Sequence, residues 1–133
     1  MDASSLPVTI LARPDHTDDL HFFHINTAFE ELSGYSKEEI VGMDCTMLEG
    51  EETDPAAVKL FWDDMRRVRN ALTTIVNYRK DGSAYETFVI GAQLQMETPS
   101  KDVVALYLCG YFPVEELTML PPKWPSGLPG TFH

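Results

Sequence analysis

Cys45 is the side chain in this sequence best suited to covalent chemistry. It lies in the run Gly42-Met43-Asp44-Cys45-Thr46-Met47-Leu48-Glu49-Gly50. A thiol becomes a nucleophile once a base takes its proton. No pattern of histidine and aspartate around Cys45 suggests such a base, so the expectation is a protein that is not an enzyme. The competing reading is a buried cysteine packing as a small hydrophobe. Asn77, in Val76-Asn77-Tyr78-Arg79-Lys80-Asp81-Gly82-Ser83, is the second candidate. Its amide can hold a ligand amide or a uracil-like edge, or it can be an inward polar residue satisfied by its neighbours. Asp44 and Glu49 could attract a cation; more often such carboxylates cap a helix or face solvent.

Metal chemistry finds little support. His21 and His24 lie three apart on a strand and so point to opposite faces. Asp15, His16, Asp18 and Asp19 fit a solvated acidic loop better than a metal site. The longest helix carries no histidine or cysteine, so nothing there can act as a haem axial ligand. No metal and no haem are expected.

The elements that must position Cys45 and Asn77 follow from pattern. Val8–Ala12 and Leu20–Ile25 are β-type runs. Thr27–Leu32 is helical and closed by Gly34. Ser36-Lys37-Glu38-Glu39 fits a capping box, and Gly42 ends that helix. Thr53 or Asp54 caps the next helix, with Pro55 in its first turn. Val58, Phe61, Met65 and Val68 predict its buried stripe. Leu72–Arg79, Ser83–Met96 and Val103–Phe112 read as strands, the first two joined at Asp81-Gly82, a strong hairpin signal. Phe61, Trp62, Tyr85 and Phe88 are expected in the core or on a sheet face. The fold class is therefore α+β: a five-stranded antiparallel sheet with short helices on one face, leaving room for a ligand between the layers.

At 133 residues the chain has the length of one domain. Its net charge of −11 disfavours nucleic acid and anionic membrane surfaces. The N-terminal residues lack a signal-peptide pattern, and no apolar run is long enough to span a bilayer, so a cytoplasmic location is expected. The two cysteines, Cys45 and Cys109, form no Cys-x-x-Cys pair.

His24 to Gly42 resembles the opening of many PAS domains, and the order of elements is similar to the PAS fold. Gly-x-x-Cys at Gly42 to Cys45, followed by Asn-Tyr-Arg-Lys-Asp-Gly at Asn77 to Gly82, resembles the light-oxygen-voltage (LOV) branch. The resemblance covers Pro7 to Val114. It divides the chain into a 1–6 extension, a 7–114 domain and a 115–133 tail rich in Pro and Gly. It implies a flavin site, with Cys45 as the photoreactive thiol and Asn77 on the pyrimidine edge.

The family's cysteine motif, Gly-x-Asn-Cys-Arg-Phe-Leu-Gln, is changed here. Asp44 replaces Asn, Thr46 replaces Arg, Met47 replaces Phe and Glu49 replaces Gln. The second phosphate-binding arginine falls on Trp62, and the second flavin asparagine on Thr87. The glutamine that senses flavin N5 falls on Tyr111, or on Gly110 if the strand slips by one. These changes remove charge-assisted donors from the phosphate. The implied protein is a sensory or interaction module whose flavin site (mononucleotide or riboflavin) is weakened. It would signal through a protein partner or homodimer at the sheet face. The alternative is a working blue-light receptor in which Cys45 forms the flavin adduct.

Overall fold

The computed structural model describes residues 5–13 and 19–116. The Asp15, His16 and Asp18 positions and most of the 115–133 tail lie outside the described residues.

Five strands form one antiparallel sheet: β1 (Val8–Ala12), β2 (His21–Ile25), β3 (Asn70–Tyr78), β4 (Ala84–Glu97) and β5 (Val103–Pro113), in spatial order β2-β1-β5-β4-β3. Three α-helices join β2 to β3: α1 (Thr27–Ser33), α2 (Lys37–Ile40) and α3 (Pro55–Val68), with a 3-10 turn at Cys45–Leu48 between α2 and α3. This is the α+β arrangement expected from the pattern.

The helices start and stop where local chemistry dictates. The Asn26 carboxamide accepts from Phe29 N and caps α1, and Gly34 closes that helix at φ +79°. Ser36 and Glu39 form the expected capping box at α2. Asp54 caps α3 ahead of Pro55. The buried stripe of α3 is shorter than expected. Phe61 and Met65 are buried and Val58 is half-buried, but Val68, the last residue of the helix before left-handed Arg69 at φ +67°, is exposed.

The hairpin turn at Asp81-Gly82 sets the β3–β4 register, pairing Asn77 with Tyr85. Alternation then points Tyr85, Thr87 and Val89 inward and Phe88 and Ile90 outward. On β5 the inward residues are Tyr107, Cys109 and Tyr111. The core forms between this face and the helices, from Phe22, Ile25, Phe29, Ile40, Leu48, Phe61 and Met65 among others.

Candidate functional site

The loop after the cysteine turn is stitched to β3. Thr53 Oγ1 donates to Val76 O at 2.6 Å and accepts from Gly50 N at 2.9 Å. The Tyr78 hydroxyl accepts from Glu52 N at 2.9 Å. These bonds hold the Cys45 turn against the strand that carries Asn77.

Asp44 is the N-cap of the turn. Its Oδ1 accepts from Thr46 N at 2.9 Å and from Thr46 Oγ1 at 2.8 Å. A β-bridge joins His21 to Asp44, with His21 Nε2 4.0 Å from Asp44 Oδ2. Asp19, His21 and Asp44 place one ligand-type atom each within 4.8 Å of one another at the protein surface.

Two concavities meet at Cys45. The inner one, about 40 Å³, is lined by Leu11, Cys45, Leu48, Glu49, Val58, Phe61, Trp62, Ile75, Asn77, Val89, Cys109 and Tyr111. A water needs roughly 10–15 Å³ on this measure, so the space suits a few waters. The outer one, about 230 Å³, adds Asp19, Leu20, Asp44, Thr46, Lys59 and Arg66. Cys45, Glu49, Val58 and Trp62 border both. The Trp62 indole stands edge-on to Phe61 (5.0 Å between ring centroids) and to Tyr107 (5.8 Å).

The structure thus brings Cys45, Glu49, Trp62, Asn77 and Tyr111 to the inner cavity, and puts Asp44 and Thr46 on the outer cleft. Thr87 borders neither; it is fully buried, and its hydroxyl donates to Phe88 O at 3.0 Å. Tyr111, not Gly110, is the inward residue of β5. Its hydroxyl shares a 3.1 Å hydrogen bond with Thr9 Oγ1, while Gly110 meets Leu6 on the outer groove.

Burial pushes the Cys45 thiol up to about 12, and the Asp44 and Glu49 carboxylates reinforce that shift. Such a thiol is protonated at neutral pH. Burial likewise raises Glu49, with Asp44 adding to the effect. Cys109 is also raised to about 12 by burial. Both cysteines are free thiols.

Three residues that border the concavities were not singled out from the sequence: Cys109, Lys59 and Arg66. Cys109 was legible as the residue between Tyr107 and Tyr111 on one strand face. Lys59 and Arg66 lie three residues before and four after Trp62, on its side of α3. Both are tied to Asp63, at 2.7 Å each. Tyr85, expected in the core or on a sheet face, is buried and borders neither concavity. Its hydroxyl lies beside the Asn77 side chain, its cross-strand neighbour, and burial pushes the phenol up to about 12.

A five-stranded antiparallel sheet, short helices on one face and a cysteine turn over the inner cavity define a sensory domain of PAS/LOV type. Residues 9–109 match the family model described as "PAS domain", and the chain belongs to that family. It is 34% identical over 90 residues to blue-light-activated histidine kinase 2 of Erythrobacter litoralis, covering 68% of this chain and 26% of that protein. It is 33% identical over 110 residues to a blue-light photoreceptor of Listeria monocytogenes, covering 83% of this chain and 41% of that one. The chain therefore spans less than half of either relative. Among solved structures, the LOV domain of an Erythrobacter litoralis blue-light activated histidine kinase superposes with a TM-score of 0.68 at 28% identity, covering 82% of this chain and 95% of that one. The light-state LOV structure of aureochrome1 superposes at 0.69 with 26% identity, covering 85% and 84%.

Proposed function

We propose that this domain is a LOV-type sensory and interaction module whose site takes flavin mononucleotide weakly, and that it signals through protein contacts on its outer sheet face. One observation carries this reading. The chain's own Phe61, Trp62, Cys109 and Tyr111 crowd the inner cavity down to about 40 Å³ around Cys45 and Asn77. The residues present do not fit flavin mononucleotide in this arrangement. Its ring system needs several times that space, in the range of small-molecule sites.

The phosphate end fits no better. Thr46 offers a hydroxyl already committed to Asp44. Lys59 and Arg66 border the cleft, but Asp63 holds both. Asp44 and Glu49 add acceptor charge where a phosphate needs donors. Two missing charge-assisted bonds, at about 1.5–3 kcal/mol each, correspond to about two or more decades of affinity.

A working blue-light receptor is the second reading. It is favoured by Cys45 and Asn77 facing one cavity, and by relatives that are blue-light photoreceptors. Kinase activity is not carried over, since the match spans 26% of the kinase. We assign the domain to residues 7–114.

A paired titration tests the proposal. The wild-type protein should bind riboflavin at least as well as its phosphate. The Asp44→Asn/Thr46→Arg/Glu49→Gln variant should shift the preference about tenfold or more toward the phosphate. A wild-type protein that already prefers the phosphate strongly would contradict the reading.

A further inference from the structure

The two edges of the sheet are finished differently. At the β2 edge, residues 42–45 cover the strand. Phe22 N donates to Met43 O at 2.9 Å, Gly42 N to Phe22 O at 2.7 Å and Cys45 N to Leu20 O at 2.9 Å. A register shift in the β1–β2 ladder between Ile10 and Leu11 distorts that edge further. At the opposite edge, β3 pairs with β4 alone, in unbroken register from Asn70 to Tyr78. Its nine residues, Asn-Ala-Leu-Thr-Thr-Ile-Val-Asn-Tyr, include no charge and no proline. Charges, prolines and bulges are the devices that keep an edge from pairing with another strand.

The ladder shows which groups of β3 face the open side. Gln93 N donates to Arg69 O at 2.8 Å, and Arg79 N donates to Ser83 O at 2.8 Å. The odd-numbered residues between them therefore bond to β4, and the even-numbered ones turn their N–H and C=O outward. At Val76 the outward carbonyl accepts from Thr53 Oγ1 at 2.6 Å, so the loop after the cysteine turn closes that end. Asn70, Leu72 and Thr74 remain. Among the described residues their outward backbone groups bond to no other segment. These three positions are symmetric about Leu72, whose side chain is 64% exposed.

We propose that the β3 edge is a self-association surface, where a second copy of this chain adds its own β3 antiparallel and joins the two sheets into one. With Leu72 on the two-fold axis, Asn70 of each copy opposes Thr74 of the partner subunit. The three facing pairs exchange about six backbone hydrogen bonds. Leu72 and Ile90 are exposed neighbours in the β3–β4 ladder, so their apolar row runs on across the seam.

Charge favours this occupant. The Asn70 end of the edge carries Arg69, exposed and in no ion pair among the described residues. The Val76 end carries Glu51 and Glu52, both exposed, in the loop that Thr53 and Tyr78 hold to β3. Antiparallel pairing about Leu72 brings the cationic end of each copy toward the acidic end of the other. Parallel addition would set the two cationic ends together.

Sedimentation of the full chain over a range of concentrations, with thermal melts alongside, tests the proposal. The wild-type protein should be a reversible dimer. Leu72→Pro removes the central edge N–H, which β4 does not use, and should weaken the dimer about tenfold or more. Thr74→Lys should do the same while the dilute protein melts unchanged, because it sets a cation beside the cationic end of the other copy. Thr74→Lys decides alone if proline unfolds the strand. Engineered thiols read the register, with the wild-type protein as the control for Cys45 and Cys109. Under mild oxidation Leu72→Cys should give a covalent dimer, since facing Cα atoms in such a pair lie about 5.5 Å apart. Thr74→Cys should not, since its two copies lie more than about 13 Å apart.

A monomeric wild-type protein would overturn the proposal and leave the edge to an extended segment of another protein. A dimer that Thr74→Lys leaves intact would place self-association on another surface and overturn it too. So would equal crosslinking by Leu72→Cys and Thr74→Cys.

Discussion

At Cys45 burial and two neighbouring carboxylates act with the same sign, and both hold the proton on. With the thiol near 12, the thiolate fraction at pH 7 is on the order of 10⁻⁵. Alkylation of Cys45 by iodoacetamide, read by mass spectrometry, should therefore rise roughly tenfold per pH unit from about pH 7 to about pH 10. Asp44→Asn should speed it at every pH. A plateau below about pH 9 would contradict this. At Glu49 the folded state favours the protonated acid, so ionisation costs stability above the unfolded pKa and nothing below it. Glu49→Gln should stabilise the fold at pH 7 by roughly a fraction of a kcal/mol after solvent screening, read as a slightly higher Tm, and the gain should vanish near about pH 4. The roles of these side chains were only partly legible in the sequence. Cys45 and Asn77 stood out by their local runs. Lys59 and Arg66 did not, because bordering a cleft is a fact of three-dimensional neighbours.

Among the elements, the loop between the cysteine turn and α3 is the piece whose geometry the site depends on. Gly50 packs against Tyr78 so closely that an added Cβ would stand 2.3 Å from the ring. The same tyrosine anchors Glu52 N. Gly50→Ala should cost about 1–3 kcal/mol in urea unfolding, as overpacking does. A neutral result would mean that the ring swings aside freely. Caps, hairpin and strands could be read from sequence, since Ser36 with Glu39, Asp54 with Pro55, and Asp81 with Gly82 are local signals. Register beyond the hairpin could not. Whether Tyr111 or Gly110 faced inward depended on how β5 pairs with β1 and β4, a contact between distant segments. Val68 failed the helical stripe because helix length, not periodicity, decided its exposure.

At the scale of the molecule, the sheet has one face in the core and an outer face with exposed Leu72, Phe88, Ile90, Leu94, Met96, Val104 and Leu108. A groove of about 220 Å³ runs past Leu6, Ile90 and Leu108 on that face. This apolar patch is the surface that the proposed protein contact would bury. Among the described residues no helix is long and apolar enough to cross a membrane. If a second copy covers the patch, Ile90→Glu should leave the thermal melt intact and lower the mass found by sedimentation. A wild-type protein that is monomeric at high concentration would assign the patch to a different partner. The central claim is that a LOV-type domain here carries a weakened flavin site. The absorption spectrum of the purified protein, before and after blue light, tests it most directly. The account predicts flavin well below one equivalent and little bleaching. One equivalent of flavin mononucleotide with fine-structured blue absorption, bleached reversibly in wild type but not in Cys45→Ala, would contradict it.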